Sequence, residues 1–146
     1  MSQPIRILIA DNDLNFSKNL NEFLEQQQGM KVVSIVRDGQ GAINSCKEAM
    51  PDLVLMDLHL PVLDSIKTIQ CIVAHHNERI RVLTTSAIPD DRYALEAIKA
   101  GACGYVEKNV GNEALAKTIR QVAAGDVSLN PALAASILEE FHRLAA

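Results

Sequence analysis

Residues 52–61 of the chain read DLVLMDLHLP. Within this stretch the apolar residues 53–56 run without interruption into Asp57, and Pro61 shapes the loop that follows. Parallel strands that are buried on both faces show such continuous apolar runs, whereas strands with one exposed face alternate. The segment 52–57 is therefore predicted to be a central strand of a parallel sheet that ends on a carboxylate.

Three other short and mainly apolar runs also lead into a polar side chain: Ile5–Ala10 into Asp11, 82–85 into Ser86, and 105–107 into Lys108. In open α/β sheets, ligands bind beyond the carboxyl ends of the strands. Two carboxylates, a hydroxyl and an ammonium are therefore expected to converge at one edge of the sheet. This set suits an aspartate that accepts a phosphoryl group.

Strand and helix patterns alternate along the chain. Predicted strands cover residues 5–10, 31–36, 52–57, 79–85 and 103–107, and predicted helices cover residues 14–28, 40–49, 63–76, 89–100 and 112–124. Five consecutive strand–helix units imply a parallel sheet with helices on both faces. Right-handed crossovers leave few topologies for such a sheet.

A sixth helix is predicted near the C-terminal end, where Asn130 can cap it and Pro131 suits its first position. Its apolar residues recur at helical spacing: Leu133, Ile137, Phe141 and Leu144. Three roles remain open for this helix, which can dock onto the domain, link it to a further domain, or pair with a second chain.

The composition indicates one domain with an aliphatic core, because 48% of the 146 residues are hydrophobic and only 3% are aromatic. A net charge of −4 is a poor match for nucleic acids or anionic membranes. No apolar run approaches the roughly 20 residues that span a bilayer. The 3 cysteines form no Cys-x-x-Cys pair, and no signal-peptide-like segment precedes Ile5. A cytoplasmic protein without a membrane partner is expected.

Asp57 is the best candidate for the nucleophile, because it ends the most continuous apolar run. Asp11 would lie near it, and two carboxylates at about 4 Å repel by about 4 kcal/mol at an effective dielectric constant of about 20. A divalent cation relieves this repulsion, and Mg²⁺ prefers such hard oxygen ligands. Ser86 can donate to a phosphoryl oxygen, Lys108 supplies a cation, and the loop can offer the backbone carbonyl of His59 to the metal.

Together these segments resemble the receiver domain of two-component response regulators. The matching stretches occur in order: ILIADND (7–13), DLVLMDLHLP (52–61), VLTTSA (82–87) and GACGYVEK (101–108). The resemblance covers residues 5 to about 125. It implies a flavodoxin-like (βα)5 three-layer sandwich with the parallel strand order 2-1-3-4-5, followed here by the extra C-terminal helix.

The resemblance assigns roles by position. Asp57 matches the phospho-acceptor, Ser86 the switch hydroxyl and Lys108 the phosphate-binding lysine. Tyr105, which the residues alone suggest to be a core residue, matches the aromatic side chain that changes rotamer on activation. The family's metal pocket, which holds Mg²⁺, corresponds to Asp11, Asn12, Asp57 and the backbone carbonyl of His59.

The resemblance also implies partners and an output. A sensor histidine kinase would phosphorylate the domain, which is not an enzyme beyond its own phosphorylation and dephosphorylation. Residues 101–131 are similar to the NarL/LuxR subfamily, whose members usually carry a C-terminal helix-turn-helix domain that binds DNA. The chain is expected to comprise a receiver domain (1–125) and a linker or dimerisation helix (126–146), with DNA contacted only through a domain outside it and a homodimer as one form of output.

The chain departs from the family at two positions. The family usually has a second acid where this chain has Asn12, so the affinity for Mg²⁺ should fall, although Asp13 could compensate through a water molecule. Ser65 follows Asp64 where the family usually has glycine. If that position needs a positive φ, serine is strained there.

Three functions are compatible with these residues. The first is a receiver that accepts a phosphoryl group on Asp57 and switches conformation to control transcription. The second, suggested by Asn12, is an atypical receiver that is not phosphorylated and binds other proteins. The third is a haloacid-dehalogenase-type phosphatase, because Asp11-Asn-Asp13 resembles its D-x-D motif, but the chain is short and lacks a cap region.

Overall fold

The computed structural model describes residues 3–145. Its sheet is parallel throughout and has the strand order 2-1-3-4-5 that the sequence predicted. The strands are β1 (Ile5–Ala10), β2 (Met30–Val36), β3 (Leu53–Asp57), β4 (Arg81–Ser86) and β5 (Gly104–Glu107). The predicted flavodoxin-like fold is thus confirmed, while residues 1, 2 and 146 of the predicted domain bounds lie outside the described residues.

Helices follow each strand, and a sixth helix closes the described chain: α1 (Leu14–Glu25), α2 (Gly39–Ala49), α3 (Ser65–His76), α4 (Asp91–Ala100), α5 (Asn112–Ala123) and α6 (Pro131–Ala145). α1 ends three residues before the predicted end, because Gln26 and Gln27 turn back to bond Phe23 and Leu24. β4 starts at Arg81 rather than residue 79, because Asn77–Arg79 form a short 3-10 turn. None of the helices described between residues 3 and 145 is long and apolar enough to cross a membrane.

Four of these helices begin at an aspartate cap. Each capping carboxylate accepts the backbone N–H three residues further on: Asp13 from Phe16 (3.1 Å), Asp38 from Gly41 (2.7 Å), Asp64 from Lys67 (2.9 Å) and Asp90 from Tyr93 (3.2 Å). These caps correct two predicted helix starts. α3 begins at Ser65 instead of residue 63, and α4 begins at Asp91 instead of residue 89.

The core lies on both faces of the sheet, which explains the uninterrupted apolar run in β3. Val54 and Met56 pack on one face against α2, α3 and α4. Leu53 and Leu55 pack on the other face against α1 and α5. Consecutive side chains of a strand point to opposite faces of the sheet. The residues at the end of each strand therefore face either the layer of α2, α3 and α4 or the layer of α1 and α5.

The C-terminal segment docks back onto the domain. Ser128 forms a parallel bridge with Gly104 of β5, and the backbone N–H of Tyr105 donates to the Ser128 carbonyl at 2.9 Å. α6 then packs on α4, with Leu133 at 1% exposure and Ile137 against the same core. Phe141 and Leu144 of the predicted stripe remain exposed at 66% and 79%. Docking is therefore the role the structure shows, whereas the linker and pairing roles stay predictions.

Close contact between α2 and the β3–α3 loop makes Gly39 a sensitive position. A Cβ there would lie 2.3 Å from Thr68 Oγ1 and 2.5 Å from the Leu63 carbonyl oxygen. We expect Gly39→Ala to lower the free energy of unfolding in urea by about 2 kcal/mol. Glu48→Ala, an exposed change on the same helix, is the control and should stay within about 0.5 kcal/mol of the parent. Equal stability of all three proteins would contradict this packing.

Candidate functional site

Three charged side chains converge at the carboxyl edge of the sheet, on the face covered by α1 and α5. Asp11 follows β1, Asp57 ends β3 and Lys108 follows β5. The Lys108 Nζ atom lies 2.7 Å from Asp11 Oδ2 and 2.7 Å from Asp57 Oδ2. The side chains are 2%, 14% and 9% exposed for Asp11, Asp57 and Lys108. One ammonium thus bridges two carboxylates in a largely buried site.

Backbone N–H groups hold the second oxygen of each carboxylate. Asp13 N donates to Asp11 Oδ1 at 2.9 Å, and His59 N donates to Asp57 Oδ1 at 2.7 Å. The Lys108 ammonium also lies 4.5 Å from the centroid of the Phe16 ring on α1, a cation–π distance. The orientation of both carboxylates is therefore fixed by the loops and by the lysine together.

Burial and pairing act in opposite directions on the charges. Burial raises the pKa of the Asp11 carboxyl above its ordinary value, and hydrogen bonds from Lys108 and the Asp13 N–H offset only part of that rise. Burial alone would lower the pKa of Lys108. Its hydrogen bonds to Asp11 and Asp57 outweigh this effect, so the Lys108 pKa lies above its ordinary value. The lysine remains an ammonium at neutral pH.

Ser86 faces the other layer of the sheet. Its hydroxyl donates to the Ile88 carbonyl at 2.7 Å and lies 2.6 Å from the Tyr105 hydroxyl. The Tyr105 hydroxyl also accepts the backbone N–H of Asp90 at 3.0 Å, and Tyr105 is only 4% exposed. The structure therefore brings Asp11, Asp57 and Lys108 together, while Ser86 is engaged with the cap of α4. The core position expected for Tyr105 is observed.

The remaining residues of the predicted site have different surroundings. Asn12 is exposed beside Asp11. The Asp13 carboxylate is exposed and caps α1, which is a structural role that the sequence interpretation as an accessory metal ligand overlooked. His59 Nε2 lies 3.1 Å from Asp90 Oδ2, and its ring packs 5.2 Å from the Tyr93 ring. His59 therefore links the β3–α3 loop to the start of α4, a contact that sequence reasoning missed.

Ser65 corrects another expectation. It is fully buried at the start of α3, and the positive φ angles of non-glycine residues among those described are at Met50, Val62 and Asn77. The Ser65 hydroxyl donates to the Asp57 carbonyl at 2.7 Å and accepts the Leu60 N–H at 3.3 Å. The strain expected for serine is absent at this position. Ser65 instead supports the loop that follows Asp57, and no sequence signal identified this role.

The donor set fits a hard divalent cation. Two carboxylates converge within reach of one nitrogen atom, and carboxylate oxygens are preferred Mg²⁺ ligands. In residues 3–145 no group of three His, Cys, Asp or Glu side chains is arranged to hold a metal. With one or two protein carboxylates as ligands, Mg²⁺ usually keeps several water ligands. A cavity of about 340 Å³ opens beside Asp57 and is bounded by His59, Ala87, Ile88, Pro89 and Asp90.

Comparison with known proteins agrees with this geometry. The family model of the response regulator receiver domain matches residues 7–120, so the chain belongs to that family. The chain is 30% identical over 139 residues to the transcriptional regulatory protein LnrK of Bacillus subtilis (strain 168). The aligned region covers 95% of this chain and 63% of LnrK. It is 26% identical over 140 residues to DegU of Brevibacillus brevis, over 96% of this chain and 59% of DegU.

A solved structure gives the same assignment. The two-component response regulator of the LuxR family from Aurantimonas sp. SI85-9A1 has a TM-score of 0.82 and 30% sequence identity, over 94% of this chain and 98% of that one. The resemblance to NarL/LuxR-type receivers is confirmed, and receiver domains are in general not enzymes. The dehalogenase interpretation finds no support. The chain spans about three fifths of the length of the curated relatives, 59% of DegU and 63% of LnrK.

The bridging lysine generates a prediction about stability. Lys108→Met leaves the buried Asp11 carboxylate and the partly buried Asp57 carboxylate without a cation, and we expect the free energy of unfolding to fall by about 3 kcal/mol in Mg²⁺-free buffer at neutral pH. Asp57→Asn keeps the Asp11–Lys108 pair and removes a like charge, so its stability should stay within about 1 kcal/mol of the parent. Urea denaturation measures both. Similar losses in the two variants would show that the ammonium does not offset the carboxylate repulsion.

Proposed function

We propose that the chain is a phosphorylation-dependent switch in which Asp57 accepts a phosphoryl group from a sensor histidine kinase. The observation that carries this proposal is the arrangement around Asp57. One carboxylate oxygen bonds the Lys108 ammonium at 2.7 Å, the other bonds the His59 N–H at 2.7 Å, and the carboxylate borders an open cavity. The nucleophile is thus oriented, charge-compensated and accessible.

The proposed reaction is an in-line transfer. An Asp57 oxygen attacks the phosphorus of a phosphohistidine, the O–P bond forms as the P–N bond breaks, and the leaving imidazole takes up a proton. Lys108 balances the negative charge of the incoming group, while the His59 N–H holds the carboxylate in place. Transfer thus depends on positioning and electrostatics.

Mg²⁺ is the proposed cofactor, held by Asp11, Asp57, the His59 carbonyl and Asn12. When bound, the ion would neutralise charge on the phosphoryl oxygens. Lys108 now bonds the same two carboxylates, so ion and ammonium compete for them. Asn12 carries no charge that would favour the ion over the ammonium. For this reason an atypical receiver that is not phosphorylated remains a second candidate function.

The proposed switch runs through Ser86. If its hydroxyl turns to a phosphoryl oxygen, it releases the Tyr105 hydroxyl, which also bonds the N–H of Asp90. Asp90 caps α4, and α4 carries the docked α6. A change at Asp57 can therefore shift the α4–α6 surface between two states.

The output is proposed from the relatives, which are transcriptional regulators. Residues 1–125 would act as the receiver domain, and residues 126–146 as a linker or dimerisation helix that relays the state of α4. Control of transcription would use a DNA-binding domain of a longer regulator, with a homodimer as one active form. We place this function in the cytoplasm, where sensor kinases present their phosphohistidine.

Phosphorylation is directly measurable. Incubation with acetyl phosphate and Mg²⁺ should add one phosphoryl group by intact-mass spectrometry, and Asp57→Asn should abolish the gain. Asp126→Asn, an exposed aspartate in the tail, is the matched control and should be phosphorylated like the parent. No gain at high Mg²⁺ in the parent would favour the non-phosphorylated module, whereas a persistent gain in Asp57→Asn would remove Asp57 from its role.

Asn12 generates a prediction about metal affinity. Asn12→Asp adds a carboxylate beside Asp11, and we expect tighter Mg²⁺ binding in isothermal titration calorimetry because anionic oxygens bind the ion more strongly than amides. Asn15→Asp on α1 adds the same charge at an exposed neighbouring position and should have a smaller effect. If both variants bind Mg²⁺ equally well, general electrostatics explain the change and Asn12 lies outside the metal shell.

A further inference from the structure

Thr85 is an anomaly next to the proposed site. It is 1% exposed, and its Oγ1 atom is a buried side-chain polar atom without a hydrogen-bond partner among the described residues. Its backbone carbonyl, by contrast, accepts the Leu58 N–H at 2.9 Å. A buried hydroxyl without a partner destabilises the fold, and valine would fill the same shape without this penalty. The presence of the hydroxyl therefore indicates another state of the protein in which it forms a hydrogen bond.

The register of the sheet places Thr85 in the row of site residues. Thr85 on β4 is level with Asp57 on β3 and with Val106 on β5. Leu83, two residues earlier on β4, packs in the layer of α1 and α5. Because strand side chains alternate between faces, Thr85 shares the face of Asp57 and Lys108. Its neighbour Ser86 belongs to the opposite face, with Tyr105.

The strand order places Thr85 between the strand that leads to Lys108 and the carboxylates that Lys108 bonds. Lys108 follows β5, and the carboxylates that it bonds follow β1 and end β3, while β4 lies between β3 and β5. The Lys108 side chain must therefore cross the carboxyl end of β4 on this face. Thr85 is the β4 residue level with Asp57 on this face, so it lies on the route from Lys108 to the two carboxylates.

We propose that Thr85 is a positioning residue whose hydroxyl accepts a hydrogen bond from Lys108 Nζ when Asp57 is phosphorylated, so that the ammonium is held against the phosphoryl group. A lysine ammonium has three N–H donors, and in this structure two of them serve Asp11 and Asp57. Phosphorylation turns one Asp57 oxygen into the bridging oxygen of an acyl phosphate, which is a weak acceptor. Lys108 then redirects its donors to a phosphoryl oxygen and to Thr85.

This inference rests on the proposed phosphorylation of Asp57, and its test separates the two. The rate constant of phosphorylation by acetyl phosphate with Mg²⁺ is measured by intact mass for the parent, Thr85→Val and Thr85→Ser, and thermal stability is measured in parallel. We expect Thr85→Val to lower the rate about tenfold without lowering the melting temperature. Thr85→Ser keeps the hydroxyl and should restore most of the rate.

Thr84→Val is the matched control on the same strand. The Thr84 hydroxyl is buried on the opposite face and donates to the Gly104 carbonyl at 2.8 Å. Its loss should lower the melting temperature and leave the phosphorylation rate close to that of the parent.

The other outcomes overturn the inference in distinct ways. A parent-like rate in Thr85→Val would show that the hydroxyl does not position Lys108, while the proposed function would stand. Equal slowing in Thr85→Val and Thr85→Ser would assign the effect to packing. If the parent itself gains no phosphoryl group, the proposed function fails and the inference with it.

Discussion

The bond of one lysine ammonium to two carboxylates in a largely buried site is the interaction on which the site depends. Asp11 follows β1 and Asp57 ends the neighbouring β3 on the same face, and without a cation their repulsion would oppose the pairing of those strands. Lys108 reaches both at 2.7 Å from beyond β5 and over β4. In the observed strand order the lysine crosses β4 to reach both carboxylates, so the topology supports the charge balance of the site. Under the proposed function the same bond affects ligand binding, because a bound cation and the ammonium would compete for the same carboxylate oxygens.

The alternation of side chains along the strands divides the molecule into two layers with different tasks. Asp11, Asp57 and Lys108 lie on the face of α1 and α5, where Phe16 supports the ammonium. Ser86 and Tyr105 lie on the face of α3 and α4, where their hydroxyls meet the cap of α4. In the proposed function, the residue that positions Lys108 and the residue that starts the conformational response are neighbours on β4, Thr85 and Ser86. The His59–Asp90 contact joins the β3–α3 loop to the start of α4.

Much of this arrangement was predictable from local patterns. The apolar runs located the strands, and the residue after each run identified Asp11, Asp57 and Lys108, because parallel strands end at one edge of the sheet. The predicted starts of α3 and α4 were wrong, since the capping carboxylates of Asp64 and Asp90 select the first helical residue more strongly than Pro89 does. The capping role of the Asp13 carboxylate on α1 was not predicted, and its accessory role towards a metal through a water molecule stays a prediction. Ser65 and His59 act through partners distant in sequence or across a loop, which no local pattern encodes.

The sequence by itself determined the order of elements, the parallel sheet and the identity of the residues that reach its carboxyl edge. These features depend on hydrophobic period, turn residues and chain direction, which are local properties. Only the tertiary structure decided that Lys108 bridges both carboxylates, that Ser86 turns towards Tyr105, that the buried Thr85 hydroxyl has no partner among residues 3–145 and that α6 docks on α4. These features depend on distances between residues far apart in the chain and on the face to which each side chain points, and both are set by the packing of the whole domain.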